Sequence, residues 1–241
     1  MVRAGLLIGA IAALAAAAAP VQCADAPALP DTLEQRVLAC AGCHGKQGEG
    51  SRQNEYYPRI AGKPPSYLFQ QLVNFRDGKR GFPQMIYFVR YLDDAYLQEI
   101  AAHYAKLQPP FPTPIKPAAT PEQLARGEQL VRQGDAAKGI PACSACHGKA
   151  LTGMLPAVPG LIGLYPDYIN SQIGAWQRGV RHAAPPDCMA QVARKLSGAN
   201  TAAVAAWLAS QPGTPASLPA PESKQKLPLE CGSQEFARRP S

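Results

Sequence analysis

Two repeated patterns of cysteine and histidine constrain this chain more than any other feature. Cys40-Ala41-Gly42-Cys43-His44 and Cys143-Ser144-Ala145-Cys146-His147 are both C-x-x-C-H pentapeptides, the attachment pattern of a c-type haem. Two thiols at this spacing can form thioethers with the two vinyl groups of one porphyrin, and the following histidine can be the proximal iron ligand. A structural zinc site would need a second ligand pair near each motif, and the sequence offers none. The sequence therefore predicts two covalent haem c groups, attached through Cys40, Cys43, Cys143 and Cys146, with His44 and His147 as proximal ligands.

The N-terminus has the composition of a secretory signal. Arg3 supplies a positive charge, an unbroken apolar stretch follows at residues 6–19, and small residues surround Cys23. This stretch has about fourteen residues where a membrane span needs about twenty. Residues 20–22, Pro-Val-Gln, also do not fit the sequence expected before a lipidated cysteine at position 23. We therefore predict a cleaved signal at residues 1–24 and a periplasmic protein, rather than a membrane anchor or a lipoprotein.

The charge of the chain is modestly positive. It carries 24 basic and 17 acidic residues, a formal net charge of +7, and removal of Arg3 with the signal leaves 23 − 17 = +6. Such a charge favours an acidic redox partner or a membrane surface. There is no Lys/Arg cluster with interleaved aromatic residues, so we expect no nucleic-acid partner.

The chain is an internal duplication. Residues 58–67 match residues 159–168 at an offset of 101, and the offset becomes 104 near the end of each repeat. The matched pairs include Gln71 with Gln172, Phe75 with Trp176, Arg80 with Arg181, and Met85 with Met189. Six prolines in residues 108–121 predict an extended linker. We predict a first domain at residues 25–108, a linker at 109–120, a second domain at 121–210 and an irregular Pro-rich tail at 211–241.

Helical periodicity dominates both repeats. We predict helices at residues 31–39, with Asp31 and Glu34 as a capping box, at residues 66–76, and from an Asp93 cap to residue 107 with Leu97, Ile100, Ala101 and Tyr104 inward. Residues 79–91, which contain Met85, are predicted to be irregular. In the second repeat Thr120 and Gln123 form a capping box around Pro121.

The sixth iron ligands are predicted from the duplication. Met85 lies 41 positions after the first proximal histidine, and Met189 lies 42 positions after the second, so we predict both as ligands. Met154 lies seven positions after its histidine, too close to reach the opposite haem face, and is predicted to pack. His182 is the competing ligand, whereas His103 aligns with a tryptophan and is predicted to pack or lie at the surface. The paired aromatic residues are predicted to line the haem sites or the domain interface: Tyr67, Tyr168, Phe75 and Trp176.

Two cysteines remain in the mature chain after the haems take four. Cys188 and Cys231 form an even pair in an oxidising compartment, which favours a disulfide. The alternative is that Cys188, directly before Met189, supplies a thiolate to the second iron.

The motifs together resemble the cytochrome c4 family. The resemblance rests on the duplicated C-x-x-C-H, on the run at residues 139–148, on the matching Pro-Ser/Asp-Tyr helix starts, and on a methionine near the end of each repeat. It covers about residues 31–210. It implies an all-α fold of two tandem class I cytochrome c domains, packed face to face with one covalent haem in each. It also implies electron delivery from a quinol-oxidising complex to a terminal oxidase.

The tail with Cys231, and Cys188 beside Met189, depart from the family pattern. A periplasmic dehydrogenase is therefore an alternative donor, and the chain could be a permanently attached subunit of one. The remaining alternative is an enzyme, resembling a thiosulfate dehydrogenase or a peroxidase, that uses Cys188 or an open iron site at the second haem.

Overall fold

Helices account for nearly all of the regular structure. The computed structural model describes residues 30–51, 54–213, 218–223 and 226–238, so the predicted signal at 1–24 lies outside the described residues. The helices are α1 (Leu33–His44), α2 (Pro65–Arg76), α3 (Pro83–Val89), α4 (Asp94–Lys106), α5 (Pro121–Arg132), α6 (Cys143–His147), α7 (Pro166–Gln177), α8 (Cys188–Lys195), α9 (Gly198–Ala209) and α10 (Gly232–Arg238). A 3-10 turn (Ala136–Lys138) precedes α6, and β1 (Gly153–Met154) pairs antiparallel with β2 (Val158–Pro159). The all-α prediction is confirmed.

The predicted helix ends are confirmed at two of three caps. Asp93 accepts from the Tyr96 amide at the start of α4, and Thr120 and Gln123 form the capping box of α5. The predicted cap at Asp31 is wrong. Thr32 caps α1 by accepting from the Gln35 amide, because the Asp31 carboxylate instead receives two hydrogen bonds from the guanidinium of Arg36 at 2.8 and 2.9 Å.

The prediction that residues 79–91 are irregular is also wrong, because α3 lies within them. This helix has only seven residues, too few to show a helical period, and it begins with Pro83 at its first turn. Met189 likewise lies in a helix, α8, which Asp187 caps by accepting from the Ala190 amide at 2.9 Å. Both predicted methionine ligands therefore lie on short helices.

Each repeat has its own hydrophobic core. The predicted inward side chains of α4 are all buried in the first repeat: Leu97, Ile100, Ala101 and Tyr104. A separate cluster fills the second repeat, around the buried Leu130, Ile173, Val204 and Leu208. Residues 31–241 nevertheless form one compact unit. The separate cores support the two-domain division, which we retain as a proposal.

The linker follows the protein surface without regular structure. The buried Arg59 of the first repeat donates to the carbonyls of Pro109 at 2.7 Å and Pro110 at 3.0 Å. The Ile115 amide donates to the carbonyl of Ala209 at the end of α9. Proline-rich backbone lacks amide donors, so its free carbonyls serve here as acceptors for the first repeat.

The tail is joined to both repeats, and its predicted disulfide is present. Cys188 and Cys231 are bonded, with their Cα atoms 5.1 Å apart. Contrary to the expectation of an irregular tail, α10 follows directly after Cys231 and packs on α2, where the Gln70 side chain donates to the Ser233 carbonyl at 2.9 Å. Since Cys188 belongs to the second repeat and α2 to the first, this tail is a strap between them.

Within the described ranges, none of the helices combines the length and hydropathy needed to cross a bilayer.

Helices α5 and α9 cross at Gly127. A Cβ atom there would lie 2.2 Å from the Ala203 carbonyl oxygen, so no side chain fits without moving a backbone. We expect Gly127→Ala to lower the free energy of unfolding by about 1–3 kcal/mol, as overpacking does. Gly198→Ala in α9 is the matched control, because a Cβ at Gly198 meets nothing within 4 Å. Equal chemical-denaturation midpoints for the two variants would contradict the close crossing.

The strap should contribute measurably to stability. The disulfide closes a separation of 43 residues, which the chain-entropy model values at about 4 kcal/mol as an upper figure. We expect the double variant Cys188→Ser/Cys231→Ser to lose up to that amount in denaturant titrations. Gln70→Ala, which removes one contact of α10, should lose about 1 kcal/mol. A wild-type protein whose denaturation midpoint is unchanged by a thiol reductant would show that the strap is not stabilising.

Candidate haem sites

The two proximal histidines are held in the same way. His44 ends α1 and His147 ends α6, and both are buried. The Nδ1 atom of each lies 2.8 Å from a proline carbonyl oxygen, that of Pro58 and that of Pro159. A carbonyl can only accept, so Nδ1 carries the hydrogen and Nε2 keeps its lone pair. Burial lowers the pKa of both imidazoles, so each is a neutral ring with Nε2 available for iron.

A cavity of about 460 Å³ brings together the predicted site residues of the first repeat. Its lining includes Cys40, Cys43, His44 and Met85. The predicted aromatic residues Tyr67, Phe75 and Tyr168 line it as well. Because Tyr168 belongs to the second repeat, this cavity extends to the contact between the repeats.

The second motif occupies the short helix α6. Its first thiol, Cys143, lies 3.9 Å from the Leu130 carbonyl oxygen in the core of the second repeat. Met189 is half-buried on α8, which packs against α7. His182, the competing ligand, is exposed, and its backbone amide donates to Lys79 of the first repeat at 2.7 Å. Met154 is buried in the core, in agreement with its predicted packing role.

Three of the four motif thiols, Cys40, Cys143 and Cys146, lie in surroundings that favour their neutral form. Burial raises the pKa of Cys143 to about 11 and also raises the pKa of Cys40 and Cys146. A zinc site would instead need several ligands that become deprotonated together. In the part of the chain that the structure describes, no group of three or more His, Cys, Asp or Glu side chains could hold a metal ion. The zinc alternative therefore has no structural support.

The two repeats meet through a pair of arginines related by the duplication. Arg80 and Arg181 form an antiparallel backbone bridge. Arg80 donates to both paired glutamines, Gln71 at 3.0 Å and Gln172 at 2.8 Å, and Arg181 does the same at 2.9 and 2.7 Å. Arg80 also donates to the Tyr168 hydroxyl at 2.8 Å. The contact therefore has an approximate twofold symmetry.

Each of these guanidinium groups stacks on the aromatic ring of its own repeat. The central carbon of Arg80 lies 4.5 Å from the Phe75 ring centroid, and that of Arg181 lies 3.8 Å from the Trp176 ring centroid. Both guanidinium groups are nevertheless buried beside a like charge. Burial and the nearby Arg80 lower the pKa of Arg181 to about 10, so the guanidinium remains charged at neutral pH but at a free-energy cost relative to water.

A second pair of buried cations lies close by. The Lys63 ammonium donates to the Gly160 carbonyl of the second repeat at 2.9 Å. Burial, with a smaller contribution from Arg59, lowers the pKa of Lys63 to about 7. The guanidinium of Arg59 lies 4.2 Å from the Phe111 ring centroid. Within the described residues, neither cation forms an ion pair with a carboxylate.

These features test whether haem fits the two sites. A haem in the first cavity would bring carboxylate groups, its propionates, into a space lined by four buried basic side chains: Arg59, Lys63, Arg80 and Arg181. Two buried N–H donors, Arg59 Nε and Trp176 Nε1, have no acceptor among the described residues, and a carboxylate oxygen would be one acceptor able to satisfy such a donor. The cavity, the orienting carbonyls and the excess positive charge therefore all fit haem.

No local sequence pattern predicts a role for the four buried basic side chains. A signal was present for two of them, because Arg80, Arg181 and the glutamines they contact recur at the same offset with identical residue types. Conservation of polar identity between two otherwise divergent copies indicates a shared contact. No such signal exists for Lys63, because its counterpart is Leu164.

Comparisons with known proteins agree with the geometry. No family model matches the chain. The thiosulfate dehydrogenase electron acceptor of Thiomonas intermedia is 40% identical over 201 residues, which cover 82% of this chain and 87% of that protein. A cytochrome c4 of Pseudomonas aeruginosa is 31% identical over 177 residues, which cover 73% of this chain and 85% of the relative.

Solved structures extend the similarity to the fold. The reduced recombinant cytochrome c4 of Pseudomonas stutzeri superposes with a TM-score of 0.64 at 27% identity, covering 73% of this chain and 95% of that one. A thiosulfate dehydrogenase of Marichromatium purpuratum in its as-isolated form superposes with a TM-score of 0.67 at 32% identity. That match covers 74% of this chain but only 40% of the dehydrogenase. With two motifs for covalent haem, two buried histidines oriented for iron and relatives of this similarity, the chain belongs to the cytochrome c4 family of dihaem electron carriers.

Proposed function

We propose that this chain is a periplasmic carrier of single electrons with His/Met coordination at both irons. The proximal ligands are His44 and His147, and the distal ligands are Met85 and Met189. The observation that carries the proposal is the cavity of the first repeat, where Met85, His44 and both motif thiols line one space. The duplication extends the same ligand set to the second repeat.

The residues of the chain define what each haem can do. When bound, the haem supplies a reversible one-electron change at iron. The thiols fix it covalently, and the proline carbonyls orient the histidines and increase the basicity of Nε2. A methionine sulfur favours the ferrous state and raises the reduction potential. With a histidine and a methionine as its ligands, neither iron would keep a site open to a small-molecule substrate.

A thiosulfate dehydrogenase is the donor that we propose, and a terminal oxidase is the acceptor. Two curated relatives, at 40% and 34% identity, are named as electron acceptors of such a dehydrogenase. A quinol-oxidising complex is the second candidate donor, favoured by the relatives named only as cytochrome c4. The predicted N-terminal signal supports a periplasmic location for either route.

The disulfide supports a carrier over an enzyme. The enzyme alternative needs Cys188 as a thiolate ligand or an open position at the second iron. Cys188 is instead bonded to Cys231, so its sulfur is no longer a thiolate. The bond also anchors the start of α8, the helix that carries Met189.

Replacement of the methionines tests the ligand assignment. We expect Met85→His and Met189→His each to retain both haems. Each should lower one reduction potential, because imidazole stabilises ferric iron more than a thioether does. Each should also remove about half of the Met-to-iron charge-transfer absorbance. Spectroelectrochemical titration measures both effects. Met154→Leu is the control and should leave the band intact. An unchanged band in either histidine variant would show that its methionine is not a ligand.

The proposed donor is tested by reduction of the oxidised holoprotein. With thiosulfate and a catalytic amount of thiosulfate dehydrogenase, we expect both haems to become reduced, measured as two electrons per chain by visible absorbance. Thiosulfate alone should reduce neither haem. Reduction or turnover without the dehydrogenase would support the enzyme alternative, whereas no reduction with it would exclude this donor.

A further inference from the structure

One surface of the first repeat exposes a cluster of aromatic rings. Tyr87, Phe88 and Tyr91 are 63%, 47% and 84% exposed. The Tyr87 and Phe88 rings meet edge to face with their centroids 5.6 Å apart, and the Arg90 guanidinium lies within 5 Å of both tyrosine rings. We refer to Tyr87, Phe88, Arg90 and Tyr91 as the aromatic face. Exposed clusters of this kind, rich in Tyr and Arg, are typical of protein interfaces.

The aromatic face is continuous with the opening of the first haem cavity. Phe88 belongs to α3, the helix that carries Met85, and both side chains line the cavity. Tyr56 and Val180 also line the cavity while remaining 45% and 51% exposed. The opening is therefore bordered by apolar side chains, and a protein that docks there comes directly beside the cofactor of the first repeat.

The second repeat provides an internal comparison. At the offset of 104 that relates the two methionines, the aromatic face corresponds to Gln191, Val192, Arg194 and Lys195. Helix α8 therefore carries an equivalent proposed methionine ligand but has no exposed aromatic rings at these positions. The rings of α3 are thus not a requirement for holding a haem, and they need another explanation.

Charge indicates what kind of surface fits the aromatic face. Arg90 forms no ion pair within the described part of the chain, and neither does the exposed Arg178, which lines the cavity opening. Two cations beside an apolar centre are complementary to a partner with an apolar patch and carboxylates at its rim.

We propose that the aromatic face is the docking surface for the thiosulfate dehydrogenase, so that electrons enter at the first haem. This inference rests on the donor proposed above. An apolar aromatic centre suits a long-lived contact, whereas a surface of separate cations, such as Arg194 and Lys195, suits transient and salt-sensitive encounters. A solved dehydrogenase chain that includes a region similar to this protein fits a durable association.

The test compares duplicated positions in the holoprotein. Tyr87→Ser/Tyr91→Ser removes two exposed rings that do not line the cavity, and Gln191→Ser/Lys195→Ser makes the matched change on α8. We expect the first variant to raise the Kd for thiosulfate dehydrogenase about tenfold and to slow its reduction by the enzyme with thiosulfate. The second should match the wild type. Reduction by dithionite and both reduction potentials should be unchanged in each.

A charge variant keeps the test valid if the double variant folds poorly. Arg90→Glu should also weaken binding, and it should do so more at low salt than at high salt. Equal Kd values for the wild type, the tyrosine variant and the Arg90 variant would overturn the docking inference while leaving the donor intact. A wild-type protein that the dehydrogenase does not reduce would overturn both. If sedimentation shows a dimer that Tyr87→Ser/Tyr91→Ser dissociates, the occupant is a second copy and the inference is wrong.

Discussion

Four buried basic side chains line the cavity that reaches the contact between the repeats, and among the described residues none of them forms an ion pair with a carboxylate. Burying a charge is costly unless an opposite charge accompanies it, and Arg80 and Arg181 also repel one another. The protein offers these groups amide and carbonyl oxygens, which satisfy hydrogen bonds but cancel no charge. The propionates of a bound haem would supply negative charge beside these side chains.

Duplication explains why this contact can be made from so few residue types. Two identical residues separated by the repeat offset lie at equivalent positions in the two repeats. When the repeats pack about a twofold axis, such residues can meet at the contact. The arginine and glutamine pairs do so, since each guanidinium donates to both glutamines. Residues whose counterpart is of a different type, such as Lys63, break the symmetry and connect one repeat to specific backbone in the other.

Much of this architecture could be predicted from sequence because the controlling signals are local. Spacing within C-x-x-C-H, capping residues and 3.6-residue periodicity predict the haem motifs, α4, α5 and the inward face of α4. Helix α3 was missed because seven residues hold too little periodicity, and the cap at Asp31 was wrong because Arg36 competes for its carboxylate. The buried cations were missed because their role depends on packing between the repeats, which local patterns do not encode.

The differences between the repeats are as informative as their symmetry. In the second repeat the strap holds the start of α8 through Cys188, and α10 then reaches back to α2 of the first repeat. In the first repeat α3 has no disulfide and presents its aromatic rings outward. One of the two methionine-bearing helices is thus covalently restrained beside a polar surface, and the other carries an exposed apolar surface. Two repeats related by duplication therefore present different surfaces beside their equivalent methionines, so a docking partner can distinguish one repeat from the other.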